Sequence, residues 1–219
     1  MELWGTSDLH LNPGDVFPNY TGLDYLIVNG DLLNILPLGM NQWRTDAGKR
    51  TCQSIAAGLP KKHCLIYGNH CGRLSWMKEL LEEPFGLNVQ RQLDFIDDDD
   101  KIWHFEHGHR FTQWWILRHG ADDVVEWLTS NSATRQWWFK FCVKKGWIPS
   151  KYMHDWEGNP VSKWRKLVGH YWAMILTQAF NTGKNYVVGH SHVRPAQTIF
   201  DIEGIKVIDL GFRELTRII

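Results

Sequence analysis

Tyr25-Leu26-Ile27-Val28-Asn29-Gly30-Asp31 decides the fold: an apolar run without polar alternation gives way at once to a glycine and a carboxylate. A short continuous apolar run bounded by turn residues reads as a strand buried on both faces. The pattern recurs on either side. Leu3-Trp4-Gly5 leads into Ser7-Asp8-Leu9-His10, and Cys64-Leu65-Ile66-Tyr67 leads into Gly68-Asn69-His70. Between these runs, 44–58 and 74–83 have helix-compatible composition, with Pro60 expected to close the first and Pro84 the second. Strands alternating with helices predict an α/β layered fold.

Two hairpins follow by the same reading. One pairs Leu93–Ile96 with Ile102–Glu106 across a turn at Asp97–Lys101, and the other pairs Gln197–Ile202 with Ile205–Leu210 across Glu203-Gly204. The first runs on into His107-Gly108-His109. Tyr186-Val187-Val188 reads as a further buried strand that ends at Gly189-His190-Ser191-His192. Five polar clusters therefore stand at strand ends, where ligands of open α/β sheets gather. Their Asp, His and Asn side chains are oxygen and nitrogen donors suited to divalent transition metals.

Composition sets the outer bounds. A chain of 219 residues, 43% hydrophobic and 22% charged, suits one globular domain, taken as 1–219. Zero formal net charge supplies no global attraction to nucleic acid or anionic lipid. The four cysteines form neither a CxxC pair nor zinc-finger spacing. No basic, apolar leader precedes the first cluster, so the expectation is a cytoplasmic protein with free thiols and no transmembrane segment.

Residues 111–165 differ in kind. They hold eight of the thirteen tryptophans, with helical stretches expected at Asp122–Thr129 and Ala133–Lys145 and a longer helix at Ser162–Phe180. Over 110–178, ten Lys/Arg face five Asp/Glu. The segment reads as an inserted, Trp-rich helical cap. Its aromatics either build the cap's own core or line a pocket, and a basic aromatic surface also suits single-stranded nucleic acid or a peripheral membrane contact.

The series D-x-H, G-D, G-N-H, H-G-H and G-H-x-H, in that order, resembles the calcineurin-like metallophosphoesterases over roughly 1–110 and 166–219. An insert between the fourth and fifth motifs is similar to the UDP-2,3-diacylglucosamine hydrolase branch. The resemblance implies a four-layer α/β/β/α sandwich and metal-dependent phosphoester hydrolysis; the limited room a cap would leave favours a small phosphodiester or nucleotide-type pyrophosphate as substrate. The nucleophile would be a hydroxide shared by two divalent transition-metal ions, manganese favoured over Fe, Zn, Co or Ni. Carried over, Asp8, His10 and His192 hold one ion, Asn69, His107 and His190 hold the other, and Asp31 bridges them. His70 assists the leaving group. Beside the resemblance, His109 is a candidate to orient a substrate oxygen, and Arg110 and Arg118 add positive charge suited to binding a substrate phosphate. Two departures stand out. Cys71 follows His70 where most members place an acid, and His70 itself stands where that branch has arginine. The rival readings are a nuclease on single-stranded DNA or RNA and a non-catalytic module on the same scaffold.

Plainer readings stand beside these. Asp31 also suits a turn or helix cap, and Asn69 a left-handed turn beside Gly68. His109 is either an orienting neighbour or a structural histidine. Asp97–Asp100 lacks the glycine and terminal glutamate of a calcium loop and reads as a solvated turn. His104 falls on the strand face opposite His107, and Cys71 reads as an inert thiol.

Overall fold

The computed structural model describes residues 1–109, 162–191 and 195–219. The first apolar runs form parallel strands β1 (Leu3–Thr6), β2 (Tyr25–Asn29) and β3 (His63–Ile66), extended by short β4 (Val89–Gln90). A short antiparallel strand near the C-terminus, β10 (Thr216–Arg217), pairs with β1, giving the order β10-β1-β2-β3-β4. The second sheet contains both expected hairpins, β5 (Gln92–Ile96) with β6 (Ile102–Glu106) and β8 (Gln197–Ile202) with β9 (Ile205–Asp209). Strand β7 (Asn185–Val188) lies between β6 and β9, in the order β5-β6-β7-β9-β8. The β8–β9 turn has Glu203 at φ 53° and Gly204 at φ 81°, the paired left-handed residues that match hairpin twist. The result is a mixed α/β structure with two mixed five-stranded sheets.

Period-two alternation sorts the apolar side chains into three buried clusters. Leu26, Val28 and Leu65 face Ile35, Met40, Trp43, Ile55 and Met77, contributed by helices α1 (Ile35–Leu38), α2 (Met40–Trp43), α3 (Asp46–Gly58) and α4 (Leu74–Met77). Their strand neighbours Ile27, Cys64 and Ile66 point the other way and meet Trp103, Phe105, Val187 and Ile208 from the second sheet. On the far face of that sheet, Tyr186, Val188 and Val207 pack on Tyr171, Ile175 and Ala179 of α6 (Ser162–Thr182). Strands covered on both faces explain the uninterrupted apolar runs. Truncating Ile27 to Ala in the middle cluster would cost about 2–5 kcal/mol.

Helix α3 starts where Thr45 caps Gly48 N–H, and it stops at Gly58, just before Pro60 as expected. The second helical stretch differs. It does not close at Pro84: a π-helical turn, Lys78–Glu82, leads into α5 (Glu83–Phe85), which contains Pro84 and ends at left-handed Gly86. Proline is tolerated in a first helical turn, where its missing N–H is not needed.

At the first hairpin turn, Asp97 Oδ1 accepts the backbone N–H groups of Asp99 and Lys101, each at 2.9 Å. That carboxylate closes the turn, as a solvated loop requires. The expected cap falls outside the described residues up to 161, and the chain is helical from Ser162. Among the described residues, no helix is long and apolar enough to cross a membrane.

Candidate metal centre

The carboxyl ends of β1, β2, β3, β6 and β7 meet at one place. The chain after β1 runs beside the chain after β2: His10 N donates to Asp31 O at 2.8 Å and Leu11 N to Leu32 O at 2.9 Å. Asn29 Nδ2 donates to Glu106 O and Val187 O, both at 3.0 Å, so one buried amide ties the two sheets together at their ends. Gly30, at φ 90°, lets the ring of His107 approach; a Cβ there would overlap its imidazole.

Each acidic residue commits one oxygen and presents the other. Asp8 Oδ2 takes the Ser7 hydroxyl at 2.5 Å and His190 N–H at 3.0 Å, while Oδ1 lies 3.8 Å from Nε2 of both His10 and His107. Asp31 Oδ1 accepts His70 N–H at 2.7 Å, while Oδ2 lies 3.1 Å from His107 Nε2 and 4.0 Å from His10 Nε2. Both carboxylates are fully buried. His107 Nδ1 faces Asn29 O at 3.2 Å, which fixes that nitrogen as the donor and turns Nε2 towards the acids. Asn69 Oδ1 stands 3.1 Å and His190 Nδ1 3.2 Å from the same Nε2.

Two groups of side chains come close enough to hold a metal ion, His10–Asp31–His70 and Asp31–His107–His190, and Asp31 belongs to both. Six of the seven sequence-expected ligands (Asp8, His10, Asp31, Asn69, His107, His190) therefore converge; His192 lies outside the described residues. His70, expected to face substrate, also falls in ligand range. His109 is half-buried, its ring 5.6 Å from that of His107 and 6.1 Å from Tyr67. Arg110 and Arg118 lie outside the described residues.

The electrostatics fit a cation. Burial pushes the Asp31 carboxyl up, but the charges of His107, His70 and His10 outweigh it and hold the group well below the usual range. Burial opposes a charge on His107, yet Asp31 and Asp8 raise it to about 9. Burial and the neighbouring His107 keep His190 well below the ordinary imidazole value. Two buried acids thus retain one proton on a nitrogen that a metal would need, so loading the site releases it. Backbone strain marks the same residues. Asp8, His10, Asp31 and His190 have φ between 45° and 67°, a left-handed conformation costing about 1–3 kcal/mol each for non-glycine residues.

Several contacts carried no sequence signal. Asn34 Oδ1 lies 3.0 Å from His70 Nδ1. Cys71 points into the core, and burial together with the charge of Asp31 pushes its thiol up to about 12. Phe212 lays its ring 5.9 Å from that of His10. His104 is buried, between Asp94 (2.6 Å) and Glu106 (3.4 Å), on the strand face away from Trp103 and Phe105.

No protein-family model matches the chain, and no curated protein matches it. A solved structure of an archaeal phosphodiesterase aligns over 100% of this chain and 99% of that one, with 12% sequence identity and a TM-score of 0.45. So slight a likeness fixes neither fold nor activity, which rest on the side chains between the two sheets.

Proposed function

We propose that the chain is a metal-dependent phosphoester hydrolase, with small phosphodiesters as the favoured substrates, built as helix, sheet, sheet and helix layers. One observation carries the reading: Asp31 is shared by two adjacent ligand groups, as a carboxylate bridging two divalent ions would be. Asp8 and His10, with His192, would hold one ion; Asn69, His107 and His190 would hold the other. The mixed oxygen and nitrogen donors suit Mn, Fe, Zn, Co or Ni. Ions bound there would supply an activated water and neutralise phosphoryl charge.

The chain's own residues do the rest. Ser7 and the His190 N–H hold one oxygen of Asp8 and aim the other, and the His70 N–H does the same for Asp31. His70 Nδ1–H donates to Asn34 Oδ1, which orients the ring; as the imidazolium, His70 would pass its Nε2 proton to the departing ester oxygen. The three buried clusters support the layered architecture.

The test is hydrolysis of bis-p-nitrophenyl phosphate, beside the monoester, by metal-stripped protein with Mn²⁺ restored. Diester cleavage that needs both metal and Asp31 supports the reading. Activity that survives Asp31→Ala contradicts it.

A further inference from the structure

We infer that Arg213, presented at the rim of the metal-ligand cluster by Phe212, binds the anionic phosphoryl group of the substrate; this rests on the phosphoester reading above. Past β9 the chain turns through Leu210-Gly211-Phe212-Arg213. Asp209 Oδ1 accepts Gly211 N–H at 3.1 Å, and Arg213 N donates to Ser7 O at 3.0 Å, one residue before Asp8. The turn is therefore fastened to the strand end that carries Asp8 and His10. Phe212 lies 5.9 Å from His10, ring to ring, at 34°, and the Arg213 guanidinium carbon sits 5.0 Å from the Phe212 centroid. A cation over an aromatic face is held in place without losing its charge.

Two features mark this arginine beside the site. Arg217 pairs with Glu2, Arg44 with Glu79 and Lys184 with Asp94. Arg213 makes no ion pair among the described residues, and the neighbouring Glu214 carboxylate is engaged by Ala196 N–H at 2.6 Å. Its backbone also occupies φ 58°, which glycine would adopt without strain. An exposed, unpaired guanidinium on a strained turn, one ring away from a metal ligand, has the planar donor fork that matches phosphoryl oxygens bidentately.

Arg213→Gly separates binding from folding, because glycine relieves the backbone while removing the side chain. In Mn²⁺-loaded protein the expected result is a KM for bis-p-nitrophenyl phosphate raised about tenfold or more, with kcat little changed and Tm equal or higher. Arg213→Lys should fall between, and Arg217→Gly should leave KM alone. Calorimetric binding of inorganic phosphate to the same proteins gives a readout independent of turnover. If wild type does not cleave the ester yet Arg213→Gly weakens phosphate binding, the hydrolase reading fails and this inference stands. Unchanged KM, or phosphate binding that is absent in wild type or equal in the two proteins, overturns it.

Discussion

Asn34 Oδ1 accepts a hydrogen bond from His70 Nδ1 at 3.0 Å, and the orientation of that amide is itself fixed. Asn34 Nδ2 donates to Asn12 Oδ1 at 3.2 Å, and Asn12 Nδ2 faces Asp15 Oδ2, an obligate acceptor, at 3.4 Å. The chain of amides from Asp15 to Asn34 fixes His70 Nδ1 as a proton donor and holds the ring in one orientation.

Asn34→Ala is therefore expected to lower kcat by roughly 10–100-fold with KM nearly unchanged, the usual scale for losing an orienting partner. Asn34→Asp, which keeps an acceptor at Nδ1, should recover much of the loss. Steady-state kinetics on both variants checks this, and equal kcat in Asn34→Ala and wild type would remove Asn34 from the account.

Metal should stabilise the fold as well as activate it, because Asp8 and Asp31 are buried against each other's histidine partners. At about 100 times the dissociation constant, Mn²⁺ adds about 2.7 kcal/mol, or roughly 5–10 °C in Tm for a chain of this size. Differential scanning fluorimetry with and without chelator measures it. Asp31→Asn should abolish most of the shift.

Gly189→Ala should be far more harmful than its size suggests. A Cβ there would overlap Ser7 Oγ and crowd Asp8 Oδ2, displacing the acid that His190 N–H and Ser7 hold. The expected cost is about 1–3 kcal/mol from overpacking, together with weakened metal binding, read by denaturant unfolding and metal titration.

A separate pH dependence comes from His104. Burial opposes its charge, but Glu106 and Asp94 outweigh burial and raise it above the usual imidazole value of 6.5. A histidine raised on folding stabilises fully below 6.5, and the contribution fades as pH climbs through its folded value. Wild type should lose stability relative to His104→Gln as pH rises from 6.5. A constant difference across that range would contradict the assignment.

How much of this was legible in the sequence follows from the physics of each element. Tyr25–Asn29 and Tyr186–Val188 could be read because strands covered on both faces leave continuous apolar runs, and the clusters at Asp8, Asp31, Asn69, His107 and His190 because each directly follows such a run. Strands β4 and β10 are two residues each, too short to show any period. The helical stretch outlasted Pro84 because a π turn let proline enter a new first turn. Asn34, Phe212 and Arg213 belong to no pattern; Leu11 N–H bonded to Leu32 O, and Arg213 N–H bonded to Ser7 O, bring them to the site only after folding.

The most direct measurement is bis-p-nitrophenyl phosphate hydrolysis as metal-stripped protein is titrated with Mn²⁺. The account predicts activity that rises to a break at two ions per chain and is absent from Asp31→Ala at every concentration. Full activity without added metal, or none at any Mn²⁺ level despite binding, would contradict it.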